Sequence, residues 1–126
     1  MATIKSYTDI SQSKTLSKIL RHETADMFFA DLLVEGKHKY LVHSLETYCF
    51  KTFKDTEVRK SNNLNFIPCW SLASLLCILQ NYQLQTQDDG IGILCSRNGT
   101  INIATSDNSV DACYEMIIKL NELKVL

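Results

Sequence analysis

Charge is missing from the middle of this chain: residues 61–87 contain no Asp, Glu, Lys or Arg. Such a stretch is not a solvated linker, and within it residues 66–79, FIPCWSLASLLCIL, are apolar almost throughout, as the centre of a folded core is. The run stays below the roughly 18 apolar residues that a spanning helix needs, so no membrane partner is expected. Proline occurs once and glycine four times in 126 residues, which excludes collagen-like, low-complexity and disordered chains. A formal net charge of −1 provides no global positive field to hold phosphate backbones, so nucleic acid is disfavoured as a partner. No Cys-x-x-Cys or His-x-x-x-His pair and no Gly-rich phosphate loop occurs. A zinc site would need ligands gathered from scattered positions, and no cofactor is expected.

What remains is a chain of ordinary composition, 45% hydrophobic and 21% charged, at the commonest size for one domain. A single α+β domain over residues 1–126 is expected. The opening MATIKSYTD is polar, with no basic segment leading into an apolar one, so export is not expected and the setting reads as cytoplasmic. Cys49, Cys69, Cys77, Cys95 and Cys113 are an odd number and read as reduced thiols, most of them in the core.

Thr8 or Asp9 is placed to cap a helix from Ile10 to about Leu20. Residues 27–34 and 39–43 flank Glu35-Gly36-Lys37-His38 as a β-hairpin. A short helix is expected after Ser44, followed by a mobile loop over residues 54–65, which are polar and rich in Asn. Ser71 is an N-cap for a helix carrying Leu72, Leu75, Leu76 and Leu79, with Ala73, Cys77 and Ile78 making its other faces apolar. Asn98-Gly99 then joins residues 91–96 to 101–104 as a second hairpin, in which the alternation of Ile101 and Ile103 with Asn102 predicts one buried and one wet face. Asn108 caps a last helix with Asp111 at its third position and a core stripe of Cys113, Met116, Ile117, Leu120 and Leu123. The expected order is α-ββ-(α)-α-ββ-α, with both hairpins in one small antiparallel sheet packed by three to four helices.

Two segments, IPCWSLASLL at 67–76 and DNSVDACYEMI at 107–117, resemble stretches of small proteins of unknown activity in genomes of gut Bacteroidales and their phage or mobile elements. The opening SYTDISQSK at 6–14 belongs to the same resemblance, which leaves residues 37–65 unmatched. It implies a cytoplasmic protein of bacterial or phage origin. It carries over no activity and no site residue.

Chemistry-bearing residues are few. Cys69 stands beside a helix start, where a thiolate is favoured, and with a histidine it is the only nucleophile pairing the sequence offers; the competing reading is a packing cysteine. Trp70 is either a ring that stacks on a ligand or one that closes the core. His38 and His43, five apart on a strand, point to opposite faces, and His22 follows a helix end. Lys51, Lys54, Arg59 and Lys60 interleave with Phe50 and Phe53 as a weak basic patch, diluted by Asp55 and Glu57. Asp88-Asp89-Gly90 lacks the spacing of a calcium loop and reads as a turn. The leading expectation is a non-enzymatic module that binds another protein, as a homo-oligomer through the all-apolar helix Leu72–Leu79. The alternatives are a small enzyme with a scattered Cys/His/Asp site and a nucleic-acid binder using residues 51–60.

Overall fold

The computed structural model describes residues 5–44 and 65–126. The helix expected after Ser44, the basic residues Lys51, Lys54, Arg59 and Lys60, and all but the last residue of the loop expected at 54–65 lie outside the described residues. The class is α+β, with three α-helices, one short 3₁₀ turn and six strands among the described residues. The strands make two antiparallel sheets of three rather than one sheet, because each hairpin recruits a third strand that the residue pattern did not reveal. The chain divides accordingly into two compact units, residues 9–70 and residues up to Thr8 with Ser71–Leu126.

In the unit of residues 9–70, helix α1 (Ile10–Leu16) opens on a capping box: Asp9 Oδ1 accepts from the Gln12 amide at 2.8 Å, and the Asp9 amide donates to Gln12 Oε1 at 3.1 Å. It ends four residues earlier than expected. Ser17 donates its hydroxyl to the Lys14 carbonyl at 2.8 Å, and the Ile19 and Leu20 amides both turn back to Leu16, so local serine bonding competes with continuation. A 3₁₀ turn (His22–Thr24) leads into β1 (Met27–Val34), which pairs with β2 (Lys37–Ser44) across a two-residue turn. Glu35 and Gly36 hold φ of 52° and 77°, the positive pair that matches the twist of a hairpin.

The third strand, β3 (Asn65–Cys69), lies on the other side of β1 with Phe28 opposite Pro68. Proline argues against a strand only where a second neighbour needs its N–H. Here β3 is an edge. The Phe28 and Phe66 rings meet edge to face at 5.2 Å, and Phe28, Phe29 and Ala30 are buried, so both faces of β1 are covered along its first half.

The other unit begins with helix α2 (Leu72–Leu79), capped by Ser71 as expected: its hydroxyl oxygen accepts from the Ser74 amide at 3.2 Å. Strands β4 (Tyr82–Gln87), β5 (Gly90–Arg97) and β6 (Thr100–Ser106) follow as a meander, and helix α3 (Ser109–Glu122) closes the unit. Asp88 and Asp89 form the turn between β4 and β5; Asn98 and Gly99, at φ of 52° and 80°, form the tight turn expected between β5 and β6. Asn108 caps α3 as predicted. Its Oδ1 accepts from the Asp111 amide and its Nδ2 donates to Asp111 Oδ2, both at 2.9 Å, while Lys5 Nζ reaches Asp111 Oδ1 at 2.8 Å.

Helix α3 buries Val110, Ala112, Cys113, Met116, Ile117 and Leu120. Leu123, expected in that stripe, is 53% exposed because the helix ends at Glu122. α2, apolar on every side, buries Leu75 and Leu79 and shows Ala73 and Cys77 to solvent.

Candidate functional site

Cys69 and Trp70 are both sealed from solvent. Trp70 donates its indole Nε1–H to Thr24 Oγ1 at 2.9 Å, and the Thr24 hydroxyl donates onward to the Arg21 carbonyl at 2.6 Å. The ring therefore secures the 3₁₀ turn and offers no face on which a ligand could stack. His22 and His38 stand at the surface with other contacts. His22 Nε2 lies 3.3 Å from the Ser17 carbonyl, and His38 Nδ1 lies 2.9 Å from Asp31 Oδ1. His38 also stacks on Tyr40, over whose ring Lys14 Nζ sits at 6.0 Å. Asp31 on β1 and His38 on β2 share one face of their sheet, so this cluster ties the two strands together across their ladder.

The remaining described thiols are no better placed for chemistry. Burial pushes the Cys113 thiol up to about 12, with the neighbouring Cys95 adding to the shift. Burial also raises Cys95, partly offset by the Arg97 guanidinium. Cys95 instead donates weakly to the Leu79 carbonyl at 3.5 Å, to which Arg97 also donates. Among the described residues no group of three or more His, Cys, Asp or Glu is arranged to hold a metal ion. An open depression of about 490 Å³ between the β4–β5 turn and the end of β6 is lined by Asp88, Asp89 and Asp107 among other residues and is more polar than apolar.

The surface that stands apart is the outer edge of β6. Ile101 and Ile103 are 65% and 53% exposed, while Asn102 between them is 7% exposed. The alternation is the one expected, and the buried face is that of Asn102. Asn102 stands opposite Cys95 and Ala104 opposite Ile93, and this is the face that α3 covers; Ile101 and Ile103 stand opposite Ser96 and Leu94 on the uncovered face. The bulk beneath α3 comes from β5 and from Met116, Ile117 and Leu120, so β6 contributes only an amide and a methyl there.

The backbone completes the edge. A two-residue turn makes Arg97 and Thr100 a hydrogen-bonded pair, and alternate pairs along the ladder repeat that state, so the N–H and C=O groups of Ile101, Ile103 and Thr105 point away from β5. Among the described strands only β5 pairs with β6. Lys119 of α3 donates to the outward Ile103 carbonyl at 3.2 Å. Beside it runs an open groove of about 520 Å³ between residues 103–106 of β6 and Glu115, Ile118, Lys119 and Glu122 of α3. From Thr100 to Ser106 there is no charged residue and no proline, the usual guards of a free edge. The opposite edge, β4, lacks both as well, so what distinguishes β6 is the greater exposure of its isoleucines.

No family model, no curated protein and no solved structure matches the chain. No helix among the described residues is long and apolar enough to cross a membrane.

Proposed function

We propose that this protein is a non-enzymatic protein-binding module that takes a partner by strand addition at β6. The observation that carries the reading is an unguarded edge strand with two isoleucines more than half exposed, next to a groove walled by α3. An extended segment laid along β6 hydrogen-bonds to Ile101, Ile103 and Thr105 and sets alternate side chains against the isoleucines. Lys119 holds the Ile103 carbonyl in the free protein and is displaced by the incoming strand. The α2 helix is a weaker docking surface than β6, since its leucines at 75 and 79 face inward. A cytoplasmic setting and a bacterial or phage origin belong to the same reading. They are supported by the described cysteines, none of which is in a disulfide, and by the resemblance at 67–76 and 107–117.

The test is selection of displayed extended peptides on the purified chain, followed by hydrogen exchange. Selected peptides are expected to slow exchange at the Ile101, Ile103 and Thr105 amides and to lose binding to an Ile103→Lys variant that keeps the native circular dichroism spectrum. Peptides that bind this variant as well as the parent, or that protect amides elsewhere, refute the reading.

A further inference from the structure

We infer that the strand added to β6 is β6 of a second copy of this chain, joined antiparallel so that two three-stranded sheets become one of six strands. The inference rests on the strand-addition reading and names the partner. Three features of the edge are complementary to themselves. The first is charge: β6 carries none, so self-pairing sets no like charges opposite one another along the seam.

The second is register. The outward backbone groups belong to Ile101, Ile103 and Thr105, so only pairings of odd with odd positions form hydrogen bonds. Setting Ile103 opposite Ile101 of the second copy satisfies this rule twice about the twofold axis. It also brings the four exposed isoleucine side chains together on one face, as the β-branched cross-strand pairs that stabilise sheets. The Ile103 carbonyl then accepts from an Ile101 amide in place of Lys119.

The third is the helix alongside. β6 ends at Ser106, α3 starts at Ser109, and Lys119 reaches back to Ile103, so α3 runs antiparallel to β6. Glu122 lies three residues beyond Lys119, about 4.5 Å further along the helix, which brings it nearly level with Ile101, two strand residues or roughly 6.6 Å from Ile103. In the register above, Ile101 faces Ile103 of the second copy, so Glu122 faces the second copy's Lys119. The freed lysine thus finds a carboxylate, twice over.

Sedimentation equilibrium of the full chain against concentration tests this. A species of twice 14.3 kDa is expected, and Ile103→Lys is expected to reduce it to monomer. Lys119→Glu is expected to raise the dissociation constant about tenfold, by setting like charges across both seams. Adding Glu122→Lys to it restores opposite charges and is expected to return the constant to near the parent value. Both positions are exposed, so folding is not at stake. A protein that stays monomeric at every concentration but still selects peptides lost on Ile103→Lys overturns self-pairing and leaves strand addition standing. A dimer indifferent to Ile103→Lys overturns the β6 seam, and a double variant no tighter than Lys119→Glu overturns the register.

Discussion

Replacing Thr24 by valine keeps the shape of the side chain and removes one oxygen, and that oxygen is what Trp70 donates to from a position with no solvent exposure. The Arg21 carbonyl, which the Thr24 hydroxyl also serves, belongs to an exposed residue where water can replace the lost donor at little cost. The indole N–H, at a residue with no solvent exposure, cannot turn to water. A buried donor deprived of its acceptor costs about 2 kcal/mol, and with a urea slope of about 1.5 kcal/mol per molar for a chain this size the midpoint should fall by about 1.3 M. The chain has one tryptophan, so its fluorescence reports this site alone. Thr24→Ser retains the oxygen and should lose no more than about 0.5 kcal/mol, from the missing methyl. In a Trp70→Phe background, where no indole N–H exists and unfolding is followed by circular dichroism, Thr24→Val should cost only a few tenths of a kcal/mol. Equal costs of Thr24→Val in the two backgrounds would show that the hydrogen bond does not hold the 3₁₀ turn, and the account of Trp70 as a structural anchor would fall.

Native protein treated with a thiol reagent near neutral pH and mapped by peptide mass should be modified at exposed Cys77 and spared at Cys69, Cys95 and Cys113. Cys113 should react slowest: a thiol raised from 9.0 to about 12 holds about a thousandfold less thiolate at any pH below 9, before access is counted. Modification of Cys69 at the rate of Cys77 would restore it as a nucleophile. Gln80 ends α2 at φ 51° and ψ −169°, a region that glycine alone occupies without strain, so Gln80→Gly should raise the unfolding free energy by about 1 kcal/mol in urea denaturation, and a loss of stability would refute the strain.

The residue pattern located the elements whose signal is local. Ser71 and Asn108 cap helices because their side chains accept from amides three residues on, which needs no knowledge of the rest of the fold. Asn98-Gly99 is similarly self-sufficient. The two strands it did not reveal, β3 and β4, depend on partners. β3 contains a proline that only an edge position tolerates, and β4 alternates Tyr82, Leu84 and Thr86 with Gln, a period of two that marks a strand but, with all six residues exposed, names no buried face and no partner. With those strands unseen, two sheets read as one.

The same limit explains the site. Cys69 and Trp70 drew attention by residue type, and residue type does not report burial: the helix start that would favour a thiolate at Cys69 is also where the chain enters the core. The β6 edge drew none, because a period of two states that the faces of a strand differ without stating which is inward. Hydrophobicity assigns the inner face to Ile101 and Ile103; α3, arriving after only Asp107 and Asn108, covers Asn102 and Ala104 instead. A strand that turns its largest apolar side chains outward and an amide inward contradicts local preference for no gain within its own unit. Such a conflict is resolved when something covers the isoleucines, and the level positions of Lys119 and Glu122 along α3 are what a second copy of the same edge requires. The outward isoleucines of β6, which local preference would turn inward, are therefore the feature on which the proposed pairing with a second copy rests.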